Sequence, residues 1–276
     1  MNNFKWDRIL SLWLEEDMPM GDVTTDSIFS DNDYSKGYFI AKESGVVAGL
    51  EYAKRVFELL DEQTVCKWSA SDGDYLEKGE IIGTVEGLTS AILKGERLAL
   101  NIMQRMSGIA SMSRKYANAL MGTSTKVVDT RKTIPGFREL DKEAVRLGGC
   151  YNHRYNLSDA AMIKDNHIAA AGGIKEAINK VRAYIPHTMK IEVEVSNMEE
   201  YQIAKDNGAD IIMLDNMSTE AMQEIVNQNE DGPILEASGN VTLERVAEIA
   251  SIGIDIISVG ALTHSVVAMD ISLKFK

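Results

Sequence analysis

The sequence predicts an α/β protein whose larger part is an incomplete, open α/β barrel of about six parallel strands, preceded by a smaller α+β layer. Three observations carry this expectation. From Lys126 onward, six short apolar runs (KVVDT, AAMIKD, KIEVEV, DIIMLDN, PILEASG and DIISVG) alternate with helix-patterned segments such as GGIKEAINKVRAYI and NMEEYQIAKDNGA. Strand then helix, repeated, places helices over both faces of a parallel sheet, and six units fall short of the eight that close a full barrel. The residues before Lys126 have a mixed texture, and a length of 276 residues accommodates a barrel plus a modest domain.

The elements follow in order. MNNFKWDRILSLWLEEDM reads as an amphipathic helix; with Asp7, Glu15, Glu16 and Asp17 and no basic start it does not resemble a secretion signal. After the turn-rich MGDVTTDS, KGYFIAKESGVVAG alternates and breaks at glycines, as paired strands do. EYAKRVFELLDEQ has helical spacing, Val65 to Val85 reads as strand and turn, and SAILKGERLALNIMQRMSGIASMSRKYANALM is one long helical stretch. No stretch approaches the length of a membrane span.

A formal net charge of −13 argues against broad binding to nucleic acid or membranes, which needs a basic surface. Two distant cysteines, Cys66 and Cys150, make no disulfide framework, so a soluble cytoplasmic enzyme is expected. Against this acidic background, residues 126–154 hold seven Lys/Arg and four acids. A solvated helix over FRELDKEAVRLGG accounts for Lys142 and Arg146. It does not account for Arg131, Lys132, His153 and Arg154, which lie outside that periodic stretch.

In an α/β barrel the C-terminal strand ends build the site. Here those ends are crowded: Arg131 and Lys132 after KVVDT, then Lys164 followed by Asp165, Asn166 and His167. Glu192 and Glu194 share one face of KIEVEV, and Asp215 ends DIIMLD. One such residue is ordinarily just where a strand leaves the core; four successive charged ends are not, because an unpaired inward charge is costly. Glycines after two late strands, in EASGN and SVGA, suit a phosphate held on backbone N–H groups. Cations, carboxylates and a phosphate nest together fit a phosphorylated polyanion, with the carboxylates serving sugar hydroxyls, Mg²⁺ or a developing cation. On these residues alone, Lys164 could equally be the Schiff-base lysine of an aldolase, or the site a non-catalytic anion-binding module.

The stretches GERLALNIMQRMSGIAS, DTRKTIPGFRELDKEAVRLGG, NHRYNLSDAAMIKDNHI, IEVEV, IIMLDN, EASGN and VGALTHS, with GDVTTD near the start, resemble the quinolinate phosphoribosyltransferase family in order and spacing over nearly the whole chain. The resemblance implies transfer from phosphoribosyl diphosphate to quinolinate with decarboxylation, yielding nicotinate mononucleotide, diphosphate and CO₂ on the route to NAD. It implies an N-terminal sandwich domain over 1–107, joined by the tail 266–276, and a catalytic barrel over 108–265. It also implies a homodimer with a shared active site, a hexamer being equally compatible, and Mg²⁺ without an organic cofactor.

Residue by residue, Arg131, His153 and Arg154 resemble the quinolinate carboxylate binders, with Thr133 beside them, and Arg97 the arginine that reaches a partner's site. Lys132 and Lys164 resemble the lysines between the two substrates. Glu194 and Asp215 resemble the carboxylates that hold ribose and Mg²⁺, directly or through water or substrate. Ser238, Gly239 and Asn240, with Ser258, Val259 and Gly260, resemble the 5′-phosphate loops. The chain departs from the family pattern at MPMGD, Glu143, Cys150 and Asn240, the last standing where a glycine is expected; asparagine still tolerates a left-handed backbone. A same-fold transferase with a different acceptor is the nearest alternative.

Overall fold

A computed structural model describes residues 3–275. The chain divides into two compact units, residues 1–112 with 266–276, and residues 113–265.

The first unit opens with helices α1 (Asn3–Asp17) and α2 (Val23–Ile28). The Asp22 carboxylate caps α2 by accepting from the N–H groups of Thr24 and Thr25, which is why the helix starts at GDVTT. Strands β1 (Tyr34–Ala41) and β2 (Gly45–Val46), helix α3 (Leu50–Leu60), strands β3 (Val65–Trp68), β4 (Tyr75–Leu76) and β5 (Ile81–Leu88), and the 31-residue helix α4 (Thr89–Ala119) follow. An antiparallel sheet runs in the order Ile271–Phe275 (β12 in chain order), β1, β5, β3. Gly37, Phe39 and Ala41 point inward from β1 at every second residue, and Phe39 packs at 6.1 Å from Phe57 and 5.3 Å from Trp68 between ring centres. The chain returns for β12 against α4 at Gly108, where a Cβ would lie 2.1 Å from the Val267 carbonyl oxygen; only glycine allows that approach.

The second unit carries strands β6 (Lys126–Val128), β7 (Ala161–Ile163), β8 (Ile191–Val195), β9 (Ile211–Asp215), β10 (Ile234–Ser238) and β11 (Ile256–Ser258). All pair in parallel in the order β6-β11-β10-β9-β8-β7, so β6 and β7 are edges and the barrel is open. Helix α5 (Arg138–Leu147) follows β6; α6 (Asp165–Ala171) and α7 (Ile174–Tyr184) follow β7. Helices α8 (Met198–Asp206), α9 (Thr219–Gln228), α10 (Leu243–Ser251) and α11 (Ala261–His264) follow the remaining strands in turn. The near-continuous apolar strands are buried as doubly covered parallel strands should be. The outer edge of β6 is covered at Tyr151, whose N–H donates to Val127 O at 2.8 Å and whose carbonyl accepts from Asp129 N at 3.2 Å. Among the described residues no helix is long and apolar enough to cross a membrane.

Candidate active site

The strand ends of the second unit surround one cavity of about 650 Å³. Its lining includes Arg131 and Lys132 after β6, His153 and Arg154 from the loop after α5, Lys164 after β7, Glu194 from β8 and Asp215 from β9. Ser238, Gly239 and Asn240 from the end of β10, and Ser258 from β11, complete the opposite wall. The parallel register explains the grouping: Asp215 pairs with Ser238, and Glu194 with Met213 beside it, so the chemical groups emerge at one end of one sheet.

The cationic wall is held from beneath. Asp129 and Lys142 form an ion pair at 2.5 Å, both with fully buried side chains. Asp129 Oδ1 also accepts from His153 N at 2.8 Å, Asp129 Oδ2 from Asn152 Nδ2 at 2.7 Å, and Lys142 Nζ donates to His153 O at 2.9 Å. The expectation that Lys142 lies on a solvated helix face is therefore corrected, whereas Arg146 on the same helix is exposed. Burial pushes the Asp129 carboxyl up and the Lys142 ammonium down, and their mutual hydrogen bond opposes both shifts. Such a pair is a poor source of stability but a firm anchor. It fixes the NHR loop.

Arg154 leaves that loop with Nη1 donating to Ala160 O at 2.8 Å. Burial, and next the charge of Arg131, depress its hold on its proton. Arg131 Nε is buried without a hydrogen-bond partner among the described residues. Two arginines held near one another, one with an orphan buried donor, form a site that an anion completes.

His153 is engaged on both sides of its ring. Nδ1 accepts from Arg154 N at 2.7 Å, while Nε2 faces Glu192 at 3.2 Å and Glu236 at 3.5 Å. Burial alone would strip the ring of a proton, but hydrogen bonds to Glu192 and Glu236 outweigh it and raise His153 to about 10. Both carboxylates face Nε2, so a proton on that nitrogen is the one they hold. His153, Glu192 and Glu236 have ligand atoms within 4.8 Å of one another, the spacing of a metal site. A metal on Nε2 needs a free lone pair there, with the ring proton on Nδ1. Here Nε2 instead faces the two carboxylates, and Glu192 Oε1 and Glu236 Oε1 are buried without a hydrogen-bond partner among the described residues.

On the other wall Lys164 Nζ donates to Glu194 Oε2, and Asp215 Oδ2 accepts from Asn216 Nδ2 at 2.7 Å. Both carboxylates face the cavity and offer hard oxygen donors. Lys164 is an ion-paired ammonium with its side chain 44% exposed. A Schiff-base lysine is instead desolvated or crowded by another cation, so the aldolase reading is not favoured.

Four sequence-predicted residues stand outside the lining. Arg97 lies in the other compact unit, exposed on α4. Thr133 Oγ1 is committed to Arg138 Nε at 3.0 Å. Val259 is a core side chain, and Gly260 packs beside the Lys132 stem. Sequence reasoning passed over Asp129, Lys142, Asn216 and Glu236 as site residues and gave Glu192 no role. The period of two would have found the glutamates, since each sits two residues before a cavity residue on its strand.

An open parallel barrel whose mouth gathers cations and carboxylates in this way is suited to an enzyme of anionic substrates. The model for the quinolinate phosphoribosyl transferase C-terminal domain matches residues 109–274, and that for its N-terminal domain residues 22–107. The probable nicotinate-nucleotide pyrophosphorylase (carboxylating) of Bacillus subtilis is 43% identical over 273 residues, 99% of this chain and 94% of its own. A protein of the same description from Synechocystis sp. is 43% identical over 97% of this chain and 92% of its own. The crystal structure of NadC from Streptococcus pyogenes superposes with a TM-score of 0.95 at 41% identity, covering 100% of this chain and 99% of that one. The chain belongs to the quinolinate phosphoribosyl transferase family.

Proposed function

We propose that the chain transfers the phosphoribosyl group of phosphoribosyl diphosphate to the ring nitrogen of quinolinate, releasing diphosphate and CO₂ and forming nicotinate mononucleotide for NAD synthesis. The observation that carries this reading is the arginine pair: Arg131, with its buried unpartnered Nε, beside Arg154. Quinolinate brings two adjacent carboxylates, and planar guanidinium forks meet carboxylates with parallel hydrogen bonds. His153 contributes here by shaping the wall beside Arg154, with its Nε2 already facing Glu192 and Glu236.

Lys132 and Lys164 stand where charge builds on the departing diphosphate. Glu194 and Asp215 oppose the positive charge that develops on the ribose as its bond to diphosphate breaks. Quaternisation of the pyridine nitrogen lets the ring accept the electron pair of the adjacent C–CO₂ bond, and water supplies the proton that replaces CO₂. Glu194 and Asp215 also fit Mg²⁺, which takes one or two carboxylates together with phosphate oxygens. When bound, Mg²⁺ supplies positive charge to the diphosphate. Lys164 is paired with Glu194 and would exchange that partner for a phosphate oxygen. Ser238 to Asn240, with Ser258, hold the 5′-phosphate, and the turn at Val259 and Gly260 supports Ser258 from behind the lining. No organic cofactor is required.

The active form in this reading is a homodimer, with Arg97 supplied across subunits; its exposure on α4 is compatible with that role. Mixing inactive Arg97→Ala and inactive Lys132→Ala chains restores part of the activity; no recovery despite proven subunit exchange removes the shared site. The cytoplasm is the proposed location, in keeping with two unpaired cysteines. The deciding assay follows nicotinate mononucleotide from phosphoribosyl diphosphate and Mg²⁺ with quinolinate, and in parallel with nicotinate. Product from quinolinate alone is expected. Product from nicotinate alone, or from neither, gives the site a different acceptor.

A further inference from the structure

Two asparagines at the cavity rim, Asn216 and Asn240, hold left-handed backbone at φ 54 and φ 48. Non-glycine residues adopt this region at a cost and persist there where the surroundings fix them. Here the surroundings are each other. Asn240 Nδ2 donates to Asn216 Oδ1 at 3.1 Å, and Asn216 Nδ2 donates to Asp215 Oδ2 at 2.7 Å. Asn216 N donates to Ser238 O at 3.0 Å, tying the end of β9 to the end of β10. Gly239, at φ 90, lies so close that a Cβ would fall 2.2 Å from Asn216 Oδ1. The Asn216 amide is thereby oriented without ambiguity: its oxygen receives Asn240, and its NH₂ serves the carboxylate.

We propose that Asn240 and Asn216 are positioning residues that couple the phosphate loop to Asp215, so that the loop's geometry sets the orientation of the ribose-side carboxylate. The inference rests on the reading above, in which Ser238 to Asn240 hold the 5′-phosphate and Asp215 faces the ribose. Asn240 holds a left-handed position that glycine would also accept. A glycine keeps the left-handed turn but has no amide, so this chain joins the loop to its neighbouring strand by a side-chain bond that such a glycine cannot make.

The test uses the full-length enzyme and Asn240→Gly, Asn216→Gly and the double variant. Glycine accepts both backbone conformations, so the fold is retained while the amides are lost. Dissociation constants for phosphoribosyl diphosphate with Mg²⁺ and for quinolinate are measured alongside KM and kcat. Asn240→Gly should weaken phosphoribosyl diphosphate about three- to tenfold, the range of one neutral hydrogen bond, and Asn216→Gly by more, since its amide serves a carboxylate, with quinolinate changed less than about twofold in both. The double variant should be no worse than Asn216→Gly, because both changes cut one chain. Additive losses, or a silent Asn240→Gly, overturn the coupling. Asp215→Asn separates the two levels of the argument. If it leaves phosphoribosyl diphosphate binding and turnover intact, the site reading falls and takes the coupling with it. If it impairs them while Asn240→Gly is silent, the coupling alone falls.

Discussion

The second unit contains two lysine–carboxylate pairs that differ in nearly every physical respect. Asp129–Lys142 is fully buried beneath the NHR loop, braced by Asn152 and by the backbone of His153. Lys164–Glu194 spans the cavity mouth, and its lysine side chain is 44% exposed. The first has no route to substrate and can only hold structure. The second is solvated enough to exchange partners when phosphate arrives. The same two residue types thus give a bolt in one place and a tool in the other, and depth decides which.

Cutting the bolt has the largest expected effect. Lys142→Met leaves the Asp129 charge buried and uncompensated, and should cost about 3–5 kcal/mol in urea unfolding. Adding Asp129→Asn should return more than half of that loss; no recovery would show that packing, and not charge, was at stake. Lys164→Ala should lower kcat by about a hundredfold or more while unfolding shifts by no more than about 1 kcal/mol, since exposed ion pairs contribute little. A large stability loss there would erase the contrast. Arg131→Ala should weaken quinolinate about ten- to a hundredfold, the span for hydrogen bonds to charged groups, and phosphoribosyl diphosphate far less. Equal losses for both substrates would take Arg131 out of the carboxylate site. Arg146→Ala, one turn beyond Lys142 but exposed, should change stability by about 0.5 kcal/mol or less.

This contrast also marks where the sequence is legible. Six strands from Lys126 onward and the long helix before them could be read because their apolar periods differ and their ends carry turn or charged residues. Most cavity residues, from Arg131 to Ser258, could be read because barrel chemistry gathers at strand ends. Lys142 could not. It sits two residues from Leu140, off the apolar stripe that local spacing defines, and is buried where Asp129, just past β6, and the His153 carbonyl meet it. Burial by a distant partner leaves no periodic trace. The direction of the His153 ring was equally hidden, since Arg154 N–H, Glu192 and Glu236 come from three separate segments. Asn240 shows the opposite case: its tolerance of left-handed backbone was readable, and φ 48 agrees.

The Tyr151 contact has a consequence for the fate of the chain in a crowded solution. An open barrel leaves a strand edge at each end, and unpaired edges recruit strands from other molecules. At β6 the vacant positions are taken by Tyr151, through Val127 O and Asp129 N. The next residues, Asn152 and His153, are those bound by Asp129 and Lys142. Whatever releases the ion pair therefore uncovers an edge as well as disordering a wall of the site, so damage at one buried lysine surfaces as aggregation alongside lost turnover.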